Sequence, residues 1–181
     1  MHLNTEDATS KFQDSLPVSS DFLINLLEKL GIAYQLFNHV ALRTVEDSKK
    51  VQSQFFSDSD GHVKNLYLRD HKKRDILVVA EQDRKIDLKA LRSILGTGRL
   101  SFGSAGRLFE TLGVRPGAVT PLAMINGVNS GVSLFLDSDL KKFKRLYVHP
   151  LVNDRTLGME LVGLEKFFKH IGVEPIWINL P

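Results

Sequence analysis

The segment "VKNLYLRD" (63–70), the polar turn "HKKR" (71–74) and "DILVVA" (75–80) decide how this chain folds. Two runs rich in aliphatic and aromatic residues flank a short charged turn, which is the pattern of a β-hairpin. In the first run Leu66 and Leu68 alternate with polar neighbours. If they face a core, the pleat sends Lys64 to their side and Asn65, Tyr67 and Arg69 to the other. An unpaired buried charge is expensive, so the Lys64 ammonium must reach solvent along its stem or meet an anion.

Outward from the hairpin, helix and strand signals alternate. Ser19, Ser20 and Asp21 offer N-caps to a helix with apolar residues at 22, 23, 26, 27 and 30, closed by Gly31, and "IAYQLFN" (32–38) reads as a strand. Thr44 and Asp47 have capping-box spacing for a further helix. Asp87 caps a helix ending at Gly96, "RLSF" (99–102) is a short strand, and Ser104 caps a helix stopped by Gly113. "GVRPGAVTP" (113–121) is a loop by its glycines and prolines. "GVSLFLD", "RLYVHPL" and "EPIWINL" read as strands, and "LVGLEKFFKHIG" as an amphipathic helix with Gly163 at its cap. Residues 1–18 read as a loosely ordered lead-in and 19–181 as one domain. The expected fold is α/β of the α+β kind, with a mixed, largely antiparallel central sheet and helices packed around it.

With 43% hydrophobic and 25% charged residues in 181, the composition is that of a globular chain with one core. No apolar run approaches the ~20 residues of a membrane span, and no basic-then-apolar leader opens the sequence, so the expectation is a cytoplasmic protein without a membrane partner. Zero cysteines exclude disulfides, thiolate zinc sites and a cysteine nucleophile. The six histidines lack HxxxH or HExxH spacing, and no acidic cluster suggests a hard cation, so neither metal nor cofactor is expected. A GxSxG elbow and a Walker loop are missing, and "GTGRLSFG" (96–103) is out of register for a dinucleotide fingerprint. A net charge of +3, with basic clusters at 71–74 and 141–145, is compatible with nucleic acid without requiring it.

Three features remain: Lys64 with Asn65, the glycine-proline loop, and His149 before Pro150. Each has a structural reading, since a lysine can snorkel, a loop can be a turn, and a half-buried histidine can be satisfied internally. In combination, "KNLYLRD", "DLKALRSILGTGRLSFGS", "LGVRPGAVTPLAMIN", "HPLVND" and "GLEKFFKHIGVEP" resemble the free-standing prolyl-tRNA editing proteins. These are relatives of the insertion domain of bacterial prolyl-tRNA synthetase and of the YbaK-type deacylases, and the likeness is strongest to the branch that removes alanine. It runs over roughly residues 20–180.

The resemblance implies a trans-editing hydrolase that cleaves the aminoacyl ester of mischarged tRNA(Pro), with no metal. Its partners would be the tRNA(Pro) acceptor end and prolyl-tRNA synthetase. Lys64 matches the lysine facing the terminal adenosine and its phosphate, which would supply the missing anion. Asn65 matches its polar neighbour, Gly117 to Pro121 the loop closing over the ester, and His149 the histidine of the amino-acid pocket. Lys64, Asn65, Gly117 and His149 are therefore the expected catalytic set. Ala118, Val119, Thr120, Pro121, Val148 and Tyr34 are the expected substrate-binding residues. Gly117 has the conformational freedom to turn backbone N–H groups toward an oxyanion, and Pro121 stiffens the loop exit. Alternatives are a same-fold deacylase for another misacylated tRNA, such as Cys-tRNA(Pro), and a non-catalytic tRNA- or synthetase-associated module. After His39 the chain reads "VALRTVEDS", where relatives often carry a proline.

Overall fold

A computed structural model describes residues 8–42 and 59–181. Among these residues eight strands form a mixed sheet: β1 (Tyr34–Asn38), β2 (Gly61–Asp70), β3 (Asp75–Glu81), β4 (Leu100–Phe102), β5 (Ser133–Asp137), β6 (Leu146–Val148), β7 (Arg155–Met159) and β8 (Ile176–Ile178). Their order is β1-β7-β6-β2-β3-β5-β8, with β4 also pairing with β2. Antiparallel pairs β1–β7, β6–β7, β2–β3 and β2–β4 are joined by parallel pairs β2–β6, β3–β5 and β5–β8. The expected hairpin is present, with Lys64 opposite Ala80 and Leu68 opposite Ile76.

Helices cover both faces of the hairpin. On one side α1 (Ser20–Lys29), α3 (Ala105–Leu112), the short α4 (Met124–Gly127) and α5 (Leu161–His170) pack Leu23, Leu27, Leu112, Met124, Phe167 and Phe168 against Leu77, Val79, Leu146 and Leu157. On the other, α2 (Leu88–Ile94) brings Leu91 onto Leu68, Ile76 and Val78. Burial on both faces is why "DILVVA" is an unbroken apolar run rather than an alternating one.

Caps follow the residues that specify them. Ser19, Asp87 and Ser104 side chains accept the N–H groups of Phe22, Lys89 and Arg107. Gly163 does not cap α5: the N-cap is Glu160, which makes no side-chain capping bond, and Gly163 lies in the first turn. The lead-in is also better held than its polarity suggests. A 3-10 segment, Ser10–Ser15, is tied down where Ser10 N and Oγ donate to Asp154 at 2.8 and 2.7 Å, and Ala8 is buried. The helix expected from Thr44 and Asp47 lies outside the described residues.

One feature of β2 positions the site. β6 pairs with Gly61 and His62, while β4 pairs with Leu68 to Asp70. Between them Val63 to Tyr67 has β3 on one side and, among the described residues, no strand on the other. The Lys64–Asn65 pair sits in this opening.

Candidate functional site

Residue parity decides what the opening presents. The Tyr67 carbonyl accepts from Gly103 N on the β4 side, whereas the His62 carbonyl accepts from Gln82 N on the β3 side. Odd-numbered residues of β2 therefore aim their backbone groups at the opening, so the main chain of Asn65 points into it.

The Asn65 side chain lies on the main-core face, where Nδ2 donates to the Val119 carbonyl at 2.9 Å. Its Oδ1 is buried and, among the described residues, accepts no hydrogen bond. The loop folds back when Ala118 N–H donates to the Arg115 carbonyl at 3.0 Å. Gly117, exposed at φ +92°, occupies backbone space that side chains avoid. The N–H groups of Gly117 and Val119 make no hydrogen bond among the described residues. Two backbone donors thus remain beside a polar side chain that fixes the loop from outside.

His149 follows β6 and is half-buried. Its Nδ1 is 2.8 Å from the Arg155 carbonyl. A carbonyl is an acceptor, so Nδ1 carries the proton and Nε2 is the acceptor nitrogen. Burial holds this imidazole below its ordinary range, opposed by the Arg155 bond, with His39 pushing the same way as burial and Asp154 against it. The ring is therefore neutral at pH 7. Its neighbour His39, with ring centroids 6.3 Å apart, bonds the Val40 carbonyl and Thr156 Oγ1, each at 2.8 Å.

Lys64 is on the face of His62 and Leu66, opposite to Asn65. Its ammonium donates to the Arg84 carbonyl. Arg84 itself is paired with Asp137 at 2.7 Å and with Asp139. No carboxylate partners Lys64 among the described residues, so a half-buried ammonium has a neutral acceptor and no counter-charge.

Other expected lining residues divide between the loop and two different places. Ala118, Thr120 and Pro121 are buried in the loop's base, where Thr120 Oγ1 accepts Leu122 N–H. Val148, 2% exposed, faces a void of ≈ 10 Å³ with Val63, Val79 and Pro121, so it is a core residue rather than a pocket wall. Tyr34 belongs to a separate groove with Gln35, Arg145 and Lys166, and its hydroxyl donates to Glu28 at 2.6 Å. Both corrections have one cause: alternation tells inside from outside, not which cavity a side chain lines.

The sequence reading also missed a buried polar network beneath β4. Tyr67 Oη donates to Asp75 at 2.7 Å, Arg107 reaches the same carboxylate at 2.8 Å, and Arg69 Nε is 3.2 Å from it. Thr111 Oγ1 lies 3.0 Å from the Tyr67 oxygen. Burial, countered by the Thr111 bond and reinforced by Asp75, pushes the Tyr67 phenol up to about 12. Gly103 permits this packing, because a Cβ there would stand 2.1 Å from the Tyr67 ring.

The sequence profile of the aminoacyl-tRNA editing domain matches residues 39–167, from the histidine beside His149 to the last helix. The chain belongs to the aminoacyl-tRNA editing domain family. As an editing domain it is a deacylase, a hydrolase of translation fidelity, in agreement with the resemblance drawn from "KNLYLRD" and "HPLVND". It is 38% identical over 151 residues to the prolyl-tRNA editing protein ProX of Acetoanaerobium sticklandii, covering 83% of this chain and 90% of that one. Prolyl-tRNA synthetase associated domain-containing protein 1 of Xenopus laevis is 33% identical over 162 residues, 87% and 94% of the two chains. A crystal structure described as a candidate trans-editing enzyme for prolyl tRNA synthetase superposes with a TM-score of 0.66 at 18% identity, over 90% of this chain and 98% of its own. That likeness shows the mixed α/β fold of the editing domain.

A histidine next to the opening gives the editing domain an acid-sensitive stability. His62 stacks on Tyr147 with ring centroids 4.9 Å apart, and burial lowers its pKa to about 4 against the pull of Asp60 and Asp83. The unfolded chain protonates this ring near pH 6.5, so between 6.5 and 4 it binds a proton that the folded chain refuses. Stability is full above pH 6.5, falls as pH drops through that window and levels off near pH 4. The expected loss is on the order of 1–2 kcal/mol, reduced from the full linkage value because the ring keeps some solvent contact. Thermal melts of His62→Phe, which keeps the stack and takes no proton, should lose this part of the pH slope.

Proposed function

We propose that this editing domain hydrolyses the ester joining alanine to the 3′ end of tRNA(Pro). The carrying observation is the Lys64–Asn65 segment of β2, which among the described residues is open to one side and bears a half-buried ammonium with no carboxylate partner. The terminal nucleotide straddles this open edge. Its phosphate meets Lys64 on one face, and its aminoacyl ester lies toward Asn65 and the 117–121 loop on the other. The relatives' names, a prolyl-tRNA editing protein and prolyl-tRNA synthetase associated proteins, support tRNA(Pro) as the carrier and the synthetase as its source.

An aminoacyl ester is already activated, so a held water and a stabilised oxyanion suffice. Water adds to the ester carbonyl carbon and the Gly117 and Val119 N–H groups receive the negative oxygen. The carbon–oxygen bond to the ribose then breaks, and the ribose oxygen takes up a proton as free alanine leaves. Neutral His149 offers Nε2 to the amino group of the substrate, and no metal takes part. Selectivity is steric: recognition of a methyl contributes ~1–3 kcal/mol, so Ala118 and Val119 act by excluding the proline ring.

The test charges tRNA(Pro) with alanine, cysteine, serine or proline and follows release of the free amino acid. Alanine is expected to leave fastest and proline to stay. Faster release of cysteine would move the substrate assignment, and retention of all four would reduce the protein to a binding module. Lys64→Ala is expected to raise KM about 10-fold, the loss of one charge-assisted phosphate contact.

A further inference from the structure

Phe102 ends β4 with 64% of its surface exposed, although Leu68 opposite it and Leu100 on its own strand are buried. By register it shares the face of Lys64, Leu66 and Leu68. It stands opposite Leu68, three residues along β2 from Asn65, roughly 10 Å away. Beyond it, in the same direction, lies the hairpin tip, which approaches the turn leading into β4: a Cβ on Gly98 would stand 2.1 Å from His71 Nδ1.

The charges at this end do not cancel. Asp70 is taken by Arg74 at 2.6 Å and Asp75 by Arg69 and Arg107. Lys72 and Lys73 are exposed, and among the described residues neither has an ion-pair partner. Among the described residues an open backbone edge, an exposed aromatic ring and an uncompensated basic turn thus follow one another along β2.

We infer that Phe102 is a stacking platform for an unpaired base at the 3′ end of the RNA, and that Lys72 and Lys73 hold phosphates further from the ester. Single-stranded RNA combines these two needs, because every base has a face to stack and every nucleotide a charge to neutralise. The inference rests on the reading that an RNA end enters the opening of β2.

The test measures fluorescence anisotropy of a labelled single-stranded RNA oligonucleotide ending in CCA. Phe102→Ala is expected to weaken binding about 10-fold, Phe102→Trp to restore it, and Phe102→Leu to leave it weak, since leucine supplies apolar area without a π-face. An oligonucleotide with abasic sites in place of its last two bases should bind wild type and Phe102→Ala alike. Lys72→Ala and Lys73→Ala should each reduce the slope of log K against log salt by about 1. Binding of Phe102→Ala equal to wild type, or full recovery with leucine, overturns the inference. Wild-type protein that binds this RNA through Phe102 but releases no amino acid from any charged tRNA would overturn the proposed function and leave the platform standing. Normal release with an unchanged KM in Phe102→Ala would do the reverse.

Discussion

Replacing Asn65 by alanine is expected to lower kcat/KM for deacylation about 100-fold, at the lower end of what losing an oxyanion-hole element costs, if the proposed mechanism holds. The side chain acts through the loop: its Nδ2 holds the Val119 carbonyl at 2.9 Å, which fixes the direction of the N–H groups on either side. Without that bond the Gly117 to Val119 turn has, among the described residues, no polar tether to β2, and in the proposed mechanism its donors would no longer be held toward the oxyanion. Because a misplaced donor affects the transition state more than the bound ester, most of the loss appears in kcat. Asn65→Asp is the discriminating companion. It keeps the shape but turns an acceptor toward an acceptor, and should be no better than alanine. Single-turnover deacylation with saturating enzyme measures both; an Asn65→Ala rate equal to wild type would remove this residue from the mechanism.

Loss of Asp75 is the largest expected effect on stability. Its carboxylate, 4% exposed, accepts Tyr67 Oη and faces Arg69 and Arg107. Asp75→Ala leaves a buried phenol without its acceptor, Arg69 without the carboxylate it faces, and Arg107 with only the exposed Glu110 at 3.4 Å. Breaking a buried pair from one side costs 3–5 kcal/mol, and because both arginines keep about a third of their side chains in solvent the lower end applies, about 3 kcal/mol. In a domain of this size that lowers Tm by roughly 6–12 °C, read by circular dichroism. Asp75→Asn keeps an acceptor for Tyr67 and should lose less. Substrate does not touch this carboxylate in the proposed arrangement, so deacylation well below Tm should be near normal.

Local chemistry carried much of the architecture. Ser19, Asp87 and Ser104 cap the helices they were expected to cap, because a capping side chain bonds N–H groups two or three residues away. The hairpin was legible because a charged turn separated two strand-like runs. Failures occurred where the deciding partner was distant. The Asn65–Val119 contact joins residues 54 apart in sequence, and the Tyr67–Thr111 contact residues 44 apart. No periodicity encodes either, so Val148 and Tyr34 were assigned to a pocket they do not line. Gly163 failed differently, because a glycine near a helix start fits a cap and a first-turn position equally well.

Taken alone, the order of residues 63–80 determined a hairpin, its alternation and the placement of Lys64 and Asn65 on opposite faces, since these follow from backbone geometry over a few residues. Tertiary structure decided that, among the described residues, this stretch of β2 has no second neighbouring strand. That depends on where β6 stops at Val148 and where β4 stops at Phe102, opposite Leu68, and strand ends are set by packing against distant elements. A site made of an absent pairing exists once the surrounding chain has taken its place.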